Sequence, residues 1–268
     1  MSLDLGDRMK RLEGAETDRA LMPLLPIMAR LDGRAFHSFC RGMAKPFDAG
    51  FRAAMLETTQ FLVAETDALM GYTQSDEISL VWYHPAYDSE PLFGGRVFKM
   101  VTGLASMASV RFNKLLPKYL PAKADREPTF DCRVWNVPNQ TEAANGFLWR
   151  TMDATRNGIL SVGQANFSQK QLHGKGQQDI KAMLLNERGI DYEKDFPPSL
   201  KWGLWLQKRR ISRPFTADEL TRLPARHEAR TNPDLVVERN EIRSLDMPEF
   251  RTVQNREAVI FDGADPIT

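Results

Sequence analysis

The sequence lacks the features that mark secreted, membrane or metal-cluster proteins. It has only two cysteines, Cys40 and Cys132, and their separation matches no metal-binding spacing. We therefore expect reduced thiols in a cytoplasmic protein. No apolar run reaches the length of a membrane span, and the acidic start Met1-Ser-Leu-Asp-Leu is unlike a signal peptide.

An excess of charge of one sign is also lacking. The 36 Lys and Arg residues nearly balance the 35 Asp and Glu residues, which leaves a formal charge of +1. A basic field over the whole molecule is therefore excluded, and any contact with nucleic acid must come from a local patch or an oligomer. The 42% hydrophobic content is that of an ordinary globular protein.

Periodic apolar residues predict an α+β fold. In chain order they indicate a strand at residues 24–31, a helix from Asp48 and a hairpin made of residues 70–73 and 77–83. A helix at 96–116, a strand at 130–137 and a helix from Asn139 follow. In the hairpin, Ile78, Leu80 and Trp82 alternate with their neighbours as in a half-buried strand, and Asp76 lies at the tip. The order predicts a mostly antiparallel sheet with helices on one side.

Proline breakers crowd the end of the chain. We therefore divide the sequence into a main domain, residues 1–190, and a smaller accessory region, residues 191–268, which is rich in turns.

Two aspartates are the leading candidates for chemistry. Asp32 and Asp76 each lie at the end of a predicted strand, so neighbouring strands would bring both carboxylates to one sheet edge. Such a pair can hold two Mg²⁺ ions about 3.5–4 Å apart for phosphoryl transfer, and the carbonyl of Gly33 can join them. The alternative is ordinary turn chemistry, since Asp-Gly and Ser-Asp are common turn dipeptides.

An ordered series of motifs resembles the tRNA-His guanylyltransferase family over about residues 31–185. The series consists of Arg30-Leu-Asp-Gly-Arg34, Phe36-His37, Ala44-Lys45-Pro46, Gly71-Tyr-Thr-Gln-Ser-Asp-Glu77, Phe130-Asp-Cys-Arg133, Pro138-Asn-Gln140, Trp149-Arg-Thr-Met-Asp153 and Asn157.

The resemblance implies a polymerase-like palm in residues 1–190 that extends tRNA at its 5′ end, in the 3′-to-5′ direction. It implies GTP and ATP as substrates, a homotetramer, and two Mg²⁺ ions on Asp32, Gly33 and Asp76. Glu77 joins the two aspartates as the acidic neighbour in a supporting role.

By the same resemblance, nine residues are expected to bind nucleotide, namely Arg34, His37, Lys45, Ser75, Arg96, Lys99, Arg133, Asp153 and Asn157. Cationic side chains among them would neutralise phosphate oxygens. Arg133 has a second explanation. A charge on an apolar strand needs a partner, and an ion pair with Asp131 or Asp153 would supply one.

One departure from the family pattern bears on substrate choice. Relatives with a His after the motif aspartate add a single G to tRNA-His, whereas this chain has Thr155 there. The chain is therefore similar to the guanylyltransferase-like branch, whose members repair truncated 5′ ends against a template. A family lysine is also displaced, with Ile180 at its place and Lys181 beside it.

RNA contacts are predicted in residues 201–213, which are basic and contain no acid. Lys208, Arg209 and Arg210 would meet phosphates, whereas Trp202 and Trp205 are interpreted as core residues. Two other functions stay open: a palm-type nucleotide cyclase, and a catalytically silent RNA-binding protein. The paired acids oppose the silent protein, and Lys45 with Trp149-Arg150-Asp153 opposes the cyclase.

Overall fold

One antiparallel sheet organises residues 4–232 and 234–268, which are the residues that the computed structural model describes. Its strands are β1 (Ile27–Arg34), β2 (Met70–Gln74), β3 (Glu77–Trp82), β4 (Thr129–Asn136), β5 (Leu204–Pro214) and β6 (Val236–Leu245). They lie in the order β4-β1-β3-β2-β5-β6, and every neighbouring pair is antiparallel. The predicted α+β class and antiparallel sheet are confirmed.

Helices connect and cover these strands. They are α1 (Leu5–Thr17), α2 (Phe36–Phe39), α3 (Ala49–Thr66), α4 (Val97–Tyr119), α5 (Gln140–Asn166), α6 (Gln169–Leu172), α7 (Gln177–Arg188), α8 (Tyr192–Asp195), α9 (Pro198–Lys201), α10 (Ala217–Arg222) and α11 (Arg256–Phe261). Within the described ranges, none of them is both long and apolar enough to cross a bilayer.

Helices cover both faces of the sheet, so the prediction of helices on one side was wrong. Helices α3 and α4 pack on the face that carries Leu31 and Leu80. Helices α5 and α11 pack on the other face, against Met28 and Val81. Strand β3 is consequently buried along its whole length rather than half-buried. The alternation of Ile78, Leu80 and Trp82 with their neighbours indicated only one buried face, so it did not predict the helices on the other face.

The predicted helix starts and apolar stripes are partly confirmed. Helix α3 begins after Asp48, whose side chain accepts a hydrogen bond from the Phe51 amide at 2.9 Å. In α4, steps of three and four predict a buried face made of Phe98, Val101, Ala105, Ala108, Phe112 and Leu115. The second half of this prediction is confirmed, since Ala108, Phe112 and Leu115 are buried. The first half is wrong, since Met100 and Leu104 are buried and Phe98 is 50% exposed.

The C-terminal region extends the same sheet. Strand β5 pairs with β2 from Met70 opposite Gln207 to Thr73 opposite Leu204, and β6 pairs with β5 along its whole length. The two strands contain 11 and 10 residues. The region is therefore less turn-rich than its prolines suggested, because Pro214 ends a strand instead of interrupting one. The division at residue 190 stays a prediction.

Replacing Phe112 with Ala should cost about 3–5 kcal/mol of unfolding free energy, because the cavity it leaves lies at the centre of an aromatic cluster. The ring centroid of Phe112 lies 5.5–6.0 Å from those of four phenylalanines, Phe36, Phe39, Phe51 and Phe130. Phe98→Ala on the same helix is the matched control and should cost far less. Similar denaturant midpoints for the two variants would contradict this description of the core.

Candidate active site at the edge of the sheet

Strand pairing brings Asp32 and Asp76 to the same edge of the sheet. Asp32 lies opposite Glu77 in the register of β1 and β3. The Gly33 amide donates a hydrogen bond of 3.1 Å to the Asp76 carbonyl, so the hairpin turn is tied to the end of β1. The juxtaposition expected from the two strand ends is therefore present.

Neither aspartate is neutralised by a cationic side chain within residues 4–232 and 234–268. Burial raises the pKa of Asp76, and the charge of Asp32 adds to that rise, although a hydrogen bond of 3.0 Å from the Ser75 hydroxyl opposes it. Two adjacent, partly buried carboxylates without a counter-charge make a region of negative potential. This arrangement suits a divalent cation.

Gly33 has a packing role that is independent of any metal. A Cβ atom at this position would collide with the ring of Phe36, which is itself buried in the aromatic cluster. Packing alone therefore explains the Asp-Gly dipeptide, and the role of the Gly33 carbonyl as a metal ligand stays a prediction.

Glu77 is held by Arg150 rather than left open to a ligand. Its two carboxylate oxygens accept hydrogen bonds of 2.6 Å from Nε and 2.7 Å from Nη2 of Arg150, in a bidentate pair that is buried between β3 and α5. Burial disfavours the charged guanidinium, but the bonds to Glu77 and Asp153 outweigh it and raise the pKa of Arg150. Glu77 is thus a fixed anchor beside the two aspartates.

Asp153 continues the same ion-pair network. It accepts a hydrogen bond of 2.9 Å from Arg150, a second from Arg156, and a longer one of 3.4 Å from the Asn157 amide. The indole of Trp149 packs beneath Arg150, with the guanidinium carbon 4.5 Å from the ring centroid. The acid that the sequence assigned to nucleotide binding is therefore already neutralised.

A cleft of about 270 Å³ opens beside the hairpin, between the N-terminal part of α3 and the middle of α5. Three of the predicted nucleotide-binding residues, Lys45, Ser75 and Asn157, line it together. Its remaining walls are largely apolar and include Met43, Phe51, Met55, Leu200 and Leu204. The cationic Lys45, the hydroxyl of Ser75 beside Asp76, and the largely apolar walls together suit a nucleoside triphosphate.

Other predicted contacts are not brought into this cleft. Arg34 is the last residue of β1 and His37 lies in α2, and both are exposed and do not line the cleft. Arg133 lies on the edge strand β4 and faces Asp131, with 3.9 Å between Nη2 and Oδ1. The ion-pair explanation for Arg133 therefore fits the structure.

Arg96 and Lys99 lie at the opposite edge of the sheet. They begin α4, where Val97 donates a hydrogen bond to the Arg19 carbonyl and Arg96 bridges to Ala20. With 23 residues, α4 is about 34 Å long, and only its other end reaches the carboxylates. Within one chain, the structure does not bring these two residues beside Lys45, and their contact with a nucleotide stays a prediction.

The basic segment 201–213 acquires acidic partners in the fold. Lys208 pairs with Asp67 at 2.6 Å, Arg209 with Asp265 at 3.5 Å and Arg210 with Glu238 at 3.5 Å. An acid-free run of sequence is thus not an acid-free surface. Trp205 is buried in the core, as interpreted. The predicted RNA contacts stay predictions.

Sequence patterns missed part of the cleft wall. Ser199, Leu200, Gly203 and Leu204 belong to the proposed accessory region, yet they close one side of the cleft. Arg52 was also missed. It lies beside the apolar residues that form the buried face of α3, and a charged residue at such a position can be recognised in the sequence.

The predicted ligands of the metal are two carboxylates and one carbonyl oxygen, and they include no third acid. In the described residues no group of three or more His, Cys, Asp and Glu side chains could hold a metal ion. That finding is compatible with Mg²⁺, which keeps several waters and is commonly bound by one or two carboxylates together with substrate phosphates.

Replacing Arg150 with Gln should cost about 3–5 kcal/mol of unfolding free energy, because it removes both short hydrogen bonds to buried Glu77 and leaves only Arg30, 3.9 Å away, as a cationic neighbour. The double variant Glu77→Gln with Arg150→Gln should recover a large part of that loss, since it removes both charges. Denaturant unfolding of the two single variants and the double variant gives the coupling energy. Additive losses would show that the pair is not coupled.

Comparisons with known proteins agree with this geometry. Residues 6–138 match the family described as Thg1, tRNAHis guanylyltransferase. The solved structure of a bacterial tRNA(His) guanylyltransferase-like protein in complex with ATP is 36% identical, with a TM-score of 0.72 over 76% of this chain and 88% of that one. A bacterial tRNA(His) guanylyltransferase-like protein in complex with GTP is 28% identical, with a TM-score of 0.71 over 95% and 96%.

The tRNA(His) guanylyltransferase of Saccharomyces cerevisiae is 28% identical and aligns with 70% of this chain and 84% of its own length. The family match at residues 6–138 includes the carboxylate edge with Asp32 and Asp76. The chain belongs to the tRNA-His guanylyltransferase family.

Proposed function

We propose that this chain is a Mg²⁺-dependent nucleotidyltransferase that adds nucleotides to the 5′ end of tRNA in the 3′-to-5′ direction. The observation that carries the proposal is the uncompensated pair Asp32 and Asp76 at one sheet edge, where Asp76 accepts a hydrogen bond from Ser75, which lines a cleft together with Lys45. Members of the family are named for this reaction, and this chain keeps both carboxylates at one edge.

The reaction forms one phosphodiester bond. The 3′-hydroxyl of the incoming nucleotide attacks the activated 5′ phosphate of the RNA, the bond from that phosphorus to pyrophosphate or AMP breaks, and the hydroxyl proton is released. Lys45 and Ser75, which line the cleft, would hold the phosphates of the incoming nucleotide. Asn157 would donate its amide from α5.

Asp32, Asp76 and the Gly33 carbonyl are the atoms that would hold Mg²⁺. Their fit rests on the uncompensated pair of carboxylates and on the raised pKa of Asp76. When bound there, Mg²⁺ supplies positive charge to the phosphate oxygens of a displacement reaction. Glu77, fixed by Arg150, would support this edge without contacting substrate.

We further propose GTP and ATP as the nucleotides, since structures of two similar proteins are complexes with these molecules. Lys208, Arg209 and Arg210 remain the proposed RNA contacts, and binding would exchange their carboxylate partners for phosphates. A cytoplasmic location agrees with two free thiols.

A homotetramer is proposed from the family. It has one supporting observation in the described chain. Helix α1 buries none of its residues, and Leu5, Met9 and Leu12 form an exposed apolar face. Such a face is commonly covered by a partner.

Asp32→Asn and Asp76→Asn should each abolish nucleotide addition, because each removes one of the two carboxylates proposed to hold Mg²⁺. The measurement is transfer of label from GTP to a 5′-truncated tRNA at saturating Mg²⁺. Near-normal turnover in either variant would overturn the metal assignment.

Thermal unfolding supplies the control for folding in the same experiment. Because the pKa of Asp76 is higher in the folded chain, the ionised carboxylate lowers stability above its ordinary pKa of 3.8. Asp76→Asn should therefore melt at a higher temperature than the wild type at pH 7, and the gain should vanish as the pH falls toward 3.8. Mg²⁺ should stabilise the wild type and not the variant.

Templated repair, rather than addition of a single G, is the expected reaction. Thr155 stands where relatives restricted to tRNA-His have a His, so base pairing would position the nucleotide. On several tRNAs that lack the first nucleotide, the enzyme should add the base complementary to the opposite strand, and a 5′-triphosphate end should need no ATP. The test compares four nucleotides on truncated tRNAs and on full-length tRNA-His. Preference for G on intact tRNA-His, whatever base lies opposite, would refute it.

A further inference from the structure

Trp149 is a large aromatic side chain that the fold leaves open to solvent. It lies in α5 and is 56% exposed, whereas Trp82 and Trp205 are buried in the two cores on either face of the sheet. The indole therefore contributes little to core packing. An aromatic ring that is both exposed and close to a functional edge is a candidate for contact with a ligand.

Two arginines fix the orientation of this indole. The guanidinium carbon of Arg150 lies 4.5 Å from the ring centroid, and that of Arg30 lies 5.3 Å from it. Both arginines also contact Glu77, Arg150 through its two short hydrogen bonds and Arg30 across 3.9 Å. Because both guanidinium groups meet at one buried carboxylate, they reach the ring from the side of the sheet. The rest of the ring surface stays open and its orientation is set in advance.

The open ring lies close to the two aspartates. Arg30 and Asp32 are two residues apart on β1, so their side chains share one face of the sheet, about 7 Å apart along the strand. Trp149 lies against Arg30 and is therefore within the reach of one or two nucleotides from the carboxylates.

The cleft and Trp149 lie on different sides of these carboxylates. The cleft takes Thr73 from β2 and Leu204 from β5, whereas Trp149 contacts β1 and, in the described chain, does not line the cleft. In the strand order, β1 and β3 separate β4 from β2 and β5. A nucleotide in the cleft would thus leave the side with Trp149 free for the RNA.

The sheet beside Trp149 presents a cation that can meet a phosphate. Arg133 on β4 lies directly opposite Arg30 and is exposed. Its contact with Asp131 is 3.9 Å long, and both side chains are more than half exposed, so the pair adds little stability. A phosphate could replace Asp131 at low cost. An open aromatic ring next to an exposed cation is the combination by which proteins bind single-stranded nucleic acid.

The chemistry of stacking indicates which part of the RNA would meet the ring. Bases within a duplex stem are already stacked on one another, whereas unpaired bases have free faces. A tRNA that lacks its first nucleotide has unpaired bases in the opposite strand, next to its 5′ end. Stacking on an aromatic ring tolerates every base, because each has a π face, and this suits an enzyme that copies whatever base the template presents.

We propose that Trp149 is a stacking platform for an unpaired base in the 3′ single strand of the RNA, with Arg133 on a phosphate of the same strand. The inference rests on the proposed function, because it takes a 5′-truncated tRNA as the substrate and the cleft as the nucleotide site. The platform holds the strand that carries the template beside the carboxylates, while the cleft holds the incoming nucleotide.

The affinity of the full-length protein for a labelled 5′-truncated tRNA, measured by fluorescence anisotropy without nucleotide, tests this role. Trp149→Ala should weaken binding by roughly 5- to 150-fold, the range for one stacked base. Trp149→Phe keeps a π face and should retain most of the affinity. Met152→Ala is the matched control, since Met152 is 59% exposed on the same helix and has no ring, and it should bind as the wild type does. GTP affinity should be unchanged in all three variants.

Abasic nucleotides locate the contact without relying on the folding of a variant. Placed one at a time in the 3′ single strand, they should weaken binding to the wild type at one position and should have no effect there on Trp149→Ala. Trp149→Leu, which keeps an apolar cover over the two arginines, replaces Trp149→Ala if thermal unfolding shows that the latter does not fold.

Salt dependence separates stacking from a phosphate contact. Stacking releases no counterions, so Trp149→Ala should lower the affinity without changing the slope of log K against log salt. Arg133→Gln should reduce that slope by roughly 0.7, the value for one phosphate of a single strand.

Three results would overturn the inference and leave the proposed function intact, provided that label from GTP still enters the RNA. These are an unchanged affinity in Trp149→Ala, equal effects of abasic nucleotides on this variant and on the wild type, and a loss of affinity that accompanies a smaller sedimenting mass. The last would make Trp149 a contact between subunits. A wild-type protein that binds no tRNA would instead overturn the proposed function, and this inference with it.

Discussion

The antiparallel pairing of β1 with β3 is the interaction on which the site depends. A one-residue slip in this register would turn Asp32 from the α5 face of the sheet to the α4 face and would separate it from Glu77. Burial of β3 on both faces prevents such a slip, since it would move apolar side chains such as Leu80 between two different cores. The hydrogen bond from Gly33 to Asp76 then extends the pairing into the turn. The packing of the sheet therefore fixes the relative positions of the carboxylates at this edge.

Charge compensation separates the structural groups from those available to a ligand. Glu77 and Arg150 neutralise each other in a buried bidentate pair, and Asp153 joins them. Asp32 and Asp76 have no such partner, and Arg52 has none either, within the residues described. Arg52 lines the cleft, and so does Ser75, whose hydroxyl donates a hydrogen bond to Asp76.

Local patterns predicted the elements and the carboxylate edge well. The Asp48 cap, the hairpin with Asp76 in its turn and the strand that ends after Asp32 are set by residues close in sequence, so periodicity and turn chemistry predict them. The second helix layer, the pairing of β5 with β2 and the wall at Ser199 depend on contacts between distant segments, which no local pattern encodes. The acidic partners of Lys208, Arg209 and Arg210 were missed for the same reason. Arg96 and Lys99 were assigned by resemblance alone, and the length of α4 separates them from the site.

The central claim is that this cleft and the two aspartates at the sheet edge join a nucleotide to the 5′ end of an RNA. The most direct measurement is the position of label from α-labelled GTP after reaction with a 5′-truncated tRNA whose first missing base pairs with C. The tRNA carries a 5′-triphosphate, and the product is mapped by nuclease digestion. The account predicts label at the new 5′-terminal nucleotide, joined by a 3′–5′ phosphodiester bond, in the wild type and not in Asp76→Asn. Label in a cyclic nucleotide, at the 3′ end of the RNA, or in no product would contradict it.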